Sequence, residues 1–72
     1  MTKKRLNLIM ARERLGLRKK EVAEKAGIER QRYIRIEADS GVKVDVEEAY
    51  RIANFLGYEH PKDIFLPEMF KK

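Results

Sequence analysis

Helical periodicity, broken by glycine at Gly16, Gly27 and Gly57, restricts this chain to short helices joined by tight turns. Leu8, Ala11, Arg12 and Leu15 fall at i, i+3, i+4 and i+7, sharing one face of a helix from about Lys4 to Leu15. Leu6, Ile9 and Met10 are apolar but lie off that stripe, and Gly16 follows in the position where a left-handed residue ends a helix. A shorter run, Lys19 to Ala26, carries Val22, Ala23 and Ala26 on its apolar face and stops at Gly27. A third, about Arg30 to Ala38, turns Tyr33 and Ile36 inward, with the tyrosine expected in the core and its hydroxyl at the edge. Asp39-Ser40-Gly41 then opens a loop to about Val44. Asp45 with Glu48 three residues on has the form of a capping box. Val46, Ala49, Ile52, Ala53 and Leu56 form the stripe of the helix that follows, and Gly57 closes it. Pro61 suits the first position of a fifth short helix carrying Ile64 and Phe65, with Pro67 as its stop. No sustained strand-like alternation is present. The expected fold class is all-α, a compact five-helix domain over residues 1–66 with a tail at residues 67–72.

Between the second and third helices lies Ala26-Gly27-Ile28-Glu29, too short for anything but a tight turn. Two short helices joined by a glycine-containing turn of three or four residues make a helix-turn-helix unit. A chain of 72 residues buries only about 60% of its unfolded surface, so it needs a staple. With no cysteine there is no disulfide, and the single histidine, His60, cannot supply the four ligands of a structural zinc site. A partner subunit remains. Phe65, Leu66, Met69 and Phe70 form an apolar C-terminal run and are the expected homodimer contact; the alternative is a loose tail or a lid over the protomer's own core.

Net charge is +5, from 17 Lys and Arg against 12 Asp and Glu, which fits a polyanionic partner. No apolar run approaches the ~20 residues of a membrane span, and the basic N-terminus is not followed by the apolar stretch of a signal peptide, so a cytoplasmic protein is expected. No phosphate loop, dinucleotide fingerprint or metal motif is present, and nothing links Ser40 to His60 as a nucleophile and base. No catalytic residue, metal, cofactor or small-molecule ligand is expected.

With Tyr33 and Ile36 inward, the third helix presents Arg30, Gln31, Ile34 and Arg35 outward. These are side chains suited to the major groove: Arg pairs bidentately with guanine, Gln with adenine, and an apolar group meets a thymine methyl. Read alone, the same face is equally an ordinary solvated surface, although Ile34 leans toward a groove contact. Arg18, Lys19 and Lys20 open the second helix, where a helix N-terminus and added cations favour phosphate; solvated side chains are the alternative. Arg32 points sideways, toward a phosphate or toward solvent, and Lys43 in the following loop is a further candidate for the backbone.

The chain also resembles the Cro/C1-type helix-turn-helix family, the phage-repressor-like or xenobiotic-response-element group, from about Leu6 to Phe65. The matching landmarks are Arg12, Leu15-Gly16-Leu17, Glu21-Val22-Ala23, Ala26-Gly27-Ile28 and Ile36-Glu37. Ala49, Ile52-Ala53, Leu56-Gly57 and Asp63-Ile64-Phe65 continue the match. The resemblance implies double-stranded DNA as partner, with the third helix docked in the major groove and the second across the backbone. It places Arg30, Gln31 and Arg35 where relatives of this type read bases, and Arg12 and Glu37 where they have a buried ion pair. Departures are Arg18 for the usual capping Thr or Ser, Lys19 for a Gln that touches phosphate or base, and Glu29 for a Ser. The loop from Ala38 to Val44 is about one residue longer than is common. The expected function is a transcriptional regulator, a repressor binding a pseudo-palindromic operator as a homodimer. The rivals are an antitoxin or a protein–protein interaction module on the same fold.

Overall fold

The computed structural model describes residues 3–65. Their order is α1 (Leu6–Arg14), α2 (Lys19–Ala26), α3 (Arg30–Ala38) and α4 (Val46–Phe55), followed by a 3-10 turn at Pro61–Asp63. Among the described residues there are thus four α-helices, not five. Pro61 does take the first position of the last element, and the Lys62 N–H donates to His60 Nδ1 at 3.1 Å. Directly beyond this three-residue turn, Ile64 and Phe65 drop into the core. One turn is too short to nucleate α-helical hydrogen bonding, so the tighter pattern wins.

α2 sits centrally, packed on both α3 and α4, while α1 lies against α3 and the 3-10 turn closes under α4. Leu8, Val22, Tyr33, Ile36, Ile52 and Phe65 are fully buried where these elements meet. Two residues of the apolar stripes are not part of this core. Leu15 is 51% exposed because α1 ends at Arg14 and Gly16, at φ 69°, turns the chain away; the half-buried Leu17 packs against the core instead. Val46 is 54% exposed because it stands at the margin of the α4 stripe, in the first turn, where Val44 already covers the core.

A buried carboxylate joins α1 to α3. Glu37, 1% exposed, accepts from Arg12 Nε on Oε2 (2.7 Å) and from Arg12 Nη2 on Oε1 (3.2 Å). The Tyr33 hydroxyl, inside the core rather than at its edge, donates to the same Oε2 at 2.6 Å. Arg12 Nη1 donates to the Leu17 carbonyl at 2.8 Å, so the cluster also fixes the chain entering α2. Burial pulls the Arg12 guanidinium down, but the hydrogen bond and charge of Glu37 outweigh it and hold Arg12 above its ordinary value. Among the described residues no buried side-chain nitrogen or oxygen lacks a hydrogen-bond partner.

A second buried cation, Arg5, holds the N-terminal segment against the end of α3. Its backbone N–H donates to Glu37 O at 2.9 Å. Its guanidinium donates to four carbonyls: Ile36 at 2.6 Å, Asp39 at 3.0 Å, Ser40 at 3.1 Å and Val42 at 2.7 Å. It also lies over the Phe65 ring, 5.5 Å from the centroid. The carbonyls at a helix C-terminus carry partial negative charge, so a cation belongs there. Burial lowers the Arg5 pKa and the charge of Asp39 opposes the shift, but a guanidinium stays protonated throughout.

Three outcomes follow from these contacts. Glu37→Ala leaves Arg12 buried without its carboxylate and should cost about 3–5 kcal/mol in urea denaturation, a large part of a small domain's stability; an unchanged midpoint contradicts this. Arg5→Lys keeps the charge but loses the fork that spans the carbonyls, and should cost about 1.5–3 kcal/mol in the same assay. Burial, reinforced by the hydrogen bond to Glu37 and by its charge, pushes the Tyr33 phenol above its usual value. The folded state therefore keeps a proton that the unfolded chain loses near pH ~10, and stability intact below that pH falls above it by up to about 1.4 kcal/mol per unit. Urea melts of wild type against Tyr33→Phe across that range should diverge accordingly; parallel curves contradict the buried phenol.

Candidate nucleic-acid interface

The turn between α2 and α3 is built by its sequence. Gly27 adopts φ 70°, a left-handed conformation costly for residues with a Cβ. Ile28 N–H then bonds back to Ala23 O (2.8 Å) and Gly27 N–H to Glu24 O (3.2 Å), closing α2 in a Schellman motif. The buried Ile28 side chain anchors the turn from below. Glu29 caps α3 by accepting the Arg32 N–H at 3.2 Å, so this departure from Ser supplies a cap of its own.

From that start α3 divides cleanly. Tyr33, Ile36 and Glu37 are buried, while Arg30, Gln31 and Arg35 are exposed and Ile34 is half-buried among them. Arg18 is the N-cap residue of α2 and has no acceptor in its side chain; its backbone N–H donates to Glu21 Oε1 at 2.7 Å instead, so the carboxylate at N3 does the capping. Arg18, Lys19 and Lys20 are all exposed at this helix start, and Lys43 is exposed in the loop after α3.

Two of the residues singled out in the sequence stand elsewhere. Arg32, its side chain 34% exposed, is paired within the protein. Its Nε donates to Glu48 Oε2 (2.9 Å), its Nη2 to Glu48 Oε1 (2.7 Å) and to the Lys43 carbonyl (3.0 Å). The pairing raises the Arg32 pKa and holds the Glu48 carboxyl below its ordinary range, in each case mainly through this hydrogen bond. Helical spacing places Arg32 on the flank of α3 that faces α4, where a carboxylate waits. Phe65 is not a dimer contact: it is 1% exposed, beneath Arg5 in the protomer's own core. Leu66, Met69 and Phe70 lie outside the described residues. Among the described residues Arg5 donates to four carbonyls, a role that its place in a basic N-terminus hides. Its spacing to Leu8 and Arg12, i, i+3 and i+7, was the available signal.

His60 is exposed, with its ring 5.5 Å from that of Tyr50, and its only marked role is at the start of the 3-10 turn. No cluster of three or more metal-ligating side chains occurs among the described residues. None of the described helices is long and apolar enough to cross a membrane.

A helix-turn-helix family model matches residues 8–62, from within α1 into the 3-10 turn. No curated protein and no solved structure matches the chain. Most of the sequence is thus covered by one model, over the same helices that create the outward face of α3, and the chain belongs to the Cro/C1-type (XRE) helix-turn-helix family of DNA-binding regulators.

Proposed function

We propose that the protein is a transcriptional repressor that binds a pseudo-palindromic duplex operator as a homodimer, with α3 of each protomer in the major groove. The observation that carries this reading is the division of α3: its inner side chains are committed to the core and the Glu37 cluster, leaving Arg30, Gln31, Ile34 and Arg35 for base edges. Arg18, Lys19 and Lys20 at the start of α2, with Lys43, are the cations for phosphate on either side. A domain this small gains from a second subunit, and Leu66, Met69 and Phe70 are the apolar residues assigned to that contact. The protein acts in the cytoplasm, where its duplex is found, and needs no cofactor.

Selection from a random duplex pool should return two half-sites about 34 Å apart along the helix, the spacing of recognition helices in a two-fold dimer. On the selected duplex, Gln31→Ala should weaken binding by about 1–3 kcal/mol and relax the preference at one base pair per half-site, leaving the salt slope unchanged. Lys19→Ala should weaken all sequences alike and lower the log–log salt slope by about 0.9 per protomer. Binding that is indifferent to both substitutions, or absent at low salt, contradicts the assignment.

A further inference from the structure

Glu48 occupies an unusual position in the hydrogen-bond pattern. Its Oε1 accepts from the Asp45 backbone N–H (3.1 Å), which caps α4, and from Arg32 Nη2 (2.7 Å), while its Oε2 accepts from Arg32 Nε (2.9 Å). Arg32 Nη2 in turn reaches the Lys43 carbonyl at 3.0 Å. A single carboxylate and a single guanidinium therefore tie together three pieces of chain: α3, the loop that follows it, and the N-terminus of α4. Arg32 and Arg35 are i, i+3 neighbours on α3, so the loop carrying Lys43 is fastened to the same flank of the helix as Arg35. Lys43 itself is exposed, as are Asp45 and Glu47 beyond it. Among residues 39–45 of this loop, Lys43 is the one cation, and acidic side chains follow it at the start of α4.

We propose that Arg32 and Glu48 are positioning residues for duplex binding: Arg32 makes no phosphate contact of its own, and the pair fixes the α3–α4 loop so that Lys43 meets the backbone beside the groove read by Arg35. The inference rests on the duplex-binding reading of α3. Its physical basis is preorganisation. A guanidinium whose charge is offset by a carboxylate, with Nε and Nη2 both committed, has little attraction left for phosphate, whereas a loop already held in place loses less entropy on binding. The bidentate fork is what Arg provides here and Lys does not.

The test is a double-mutant cycle on the full chain, read by fluorescence anisotropy with a labelled random-sequence duplex at low ionic strength. Glu48→Gln keeps an acceptor oxygen for the Asp45 N–H but removes the charge that holds Arg32. Glu48→Gln and Lys43→Ala should each weaken binding by about three- to tenfold, and the double variant should fall within about twofold of Lys43→Ala alone. Arg32→Lys gives an independent reading: a direct phosphate contact tolerates the swap, whereas a positioning role loses about as much as Glu48→Gln. Thermal melts by circular dichroism identify any variant that fails to fold, and the other arm then decides. The proposal is overturned if Glu48→Gln binds as tightly as wild type or more tightly, as a released Arg32 seeking phosphate would, if the two losses multiply in full, or if Arg32→Lys binds like wild type. Wild-type protein that ignores the duplex overturns the reading of α3 itself, a result separate from these.

Discussion

A carboxylate shut away from water has to be satisfied by protein donors, and in this chain that requirement fixes the geometry of everything around it. Glu37 sits at the inner face of α3 with two bonds from Arg12 and one from the Tyr33 hydroxyl. Replacing such a cluster by hydrocarbon is often neutral in energy, so its value lies less in net stability than in the single arrangement it permits. Rotating or sliding α3 breaks several charged hydrogen bonds at once, and so does moving α1. Because Arg12 also holds the Leu17 carbonyl, the start of α2 is set by the same group. The orientation of the outward face of α3 is thus a consequence of one buried charge.

The chain's cations divide by the same logic. Arg5, Arg12 and Arg32 each spend their donors on the protein: on the carbonyls beyond α3, on Glu37, and on Glu48 with the Lys43 carbonyl. Arg18, Lys19, Lys20, Arg30, Arg35 and Lys43 are exposed and gather around the helix-turn-helix unit. Guanidinium is used inside because its planar fork can satisfy several acceptors at fixed angles, which an ammonium group cannot. A net charge of +5 therefore does not describe how the cations are used: the donors of Arg5, Arg12 and Arg32 are engaged by the protein, while exposed cations such as Lys3, Lys4, Arg14, Lys25, Arg51 and Lys62 are spread over the rest of the surface.

Local signals in the sequence were legible where the physics is local. Glycine at 27, the apolar faces of α2 and α3, and the carboxylate of Glu48 at the start of α4 were read correctly, because each depends on neighbours within a turn of helix. Arg12 and Glu37 meet in the structure, but their pairing came from family resemblance, since no periodicity links residues 25 apart. Leu15 and Val46 were misplaced because a stripe does not reveal where a helix frays or which loop residue covers its end. The fifth helix failed for lack of residues: Pro61 could start an element, yet Ile64 and Phe65 were needed in the core. The pairings of Arg32 and Arg5 were not legible in the sequence for a shared reason. Their partners, Glu48 and the carbonyls from Ile36 to Val42, are distant in sequence, and a charged side chain carries no mark of whether it will face water or be enclosed.

The sorting of arginines is open to one direct measurement, the side-chain Nε–H signals in a nitrogen-edited NMR titration with duplex DNA. Arg12 and Arg32, whose Nε groups already donate to Glu37 and Glu48, should exchange slowly with water and stay in place as duplex is added. Arg30 and Arg35 should exchange fast in the free protein and then shift and sharpen on binding. The opposite pattern, with Arg12 or Arg32 moving while Arg30 and Arg35 remain unchanged, contradicts a fold that keeps one set of cations for itself and offers the other to DNA.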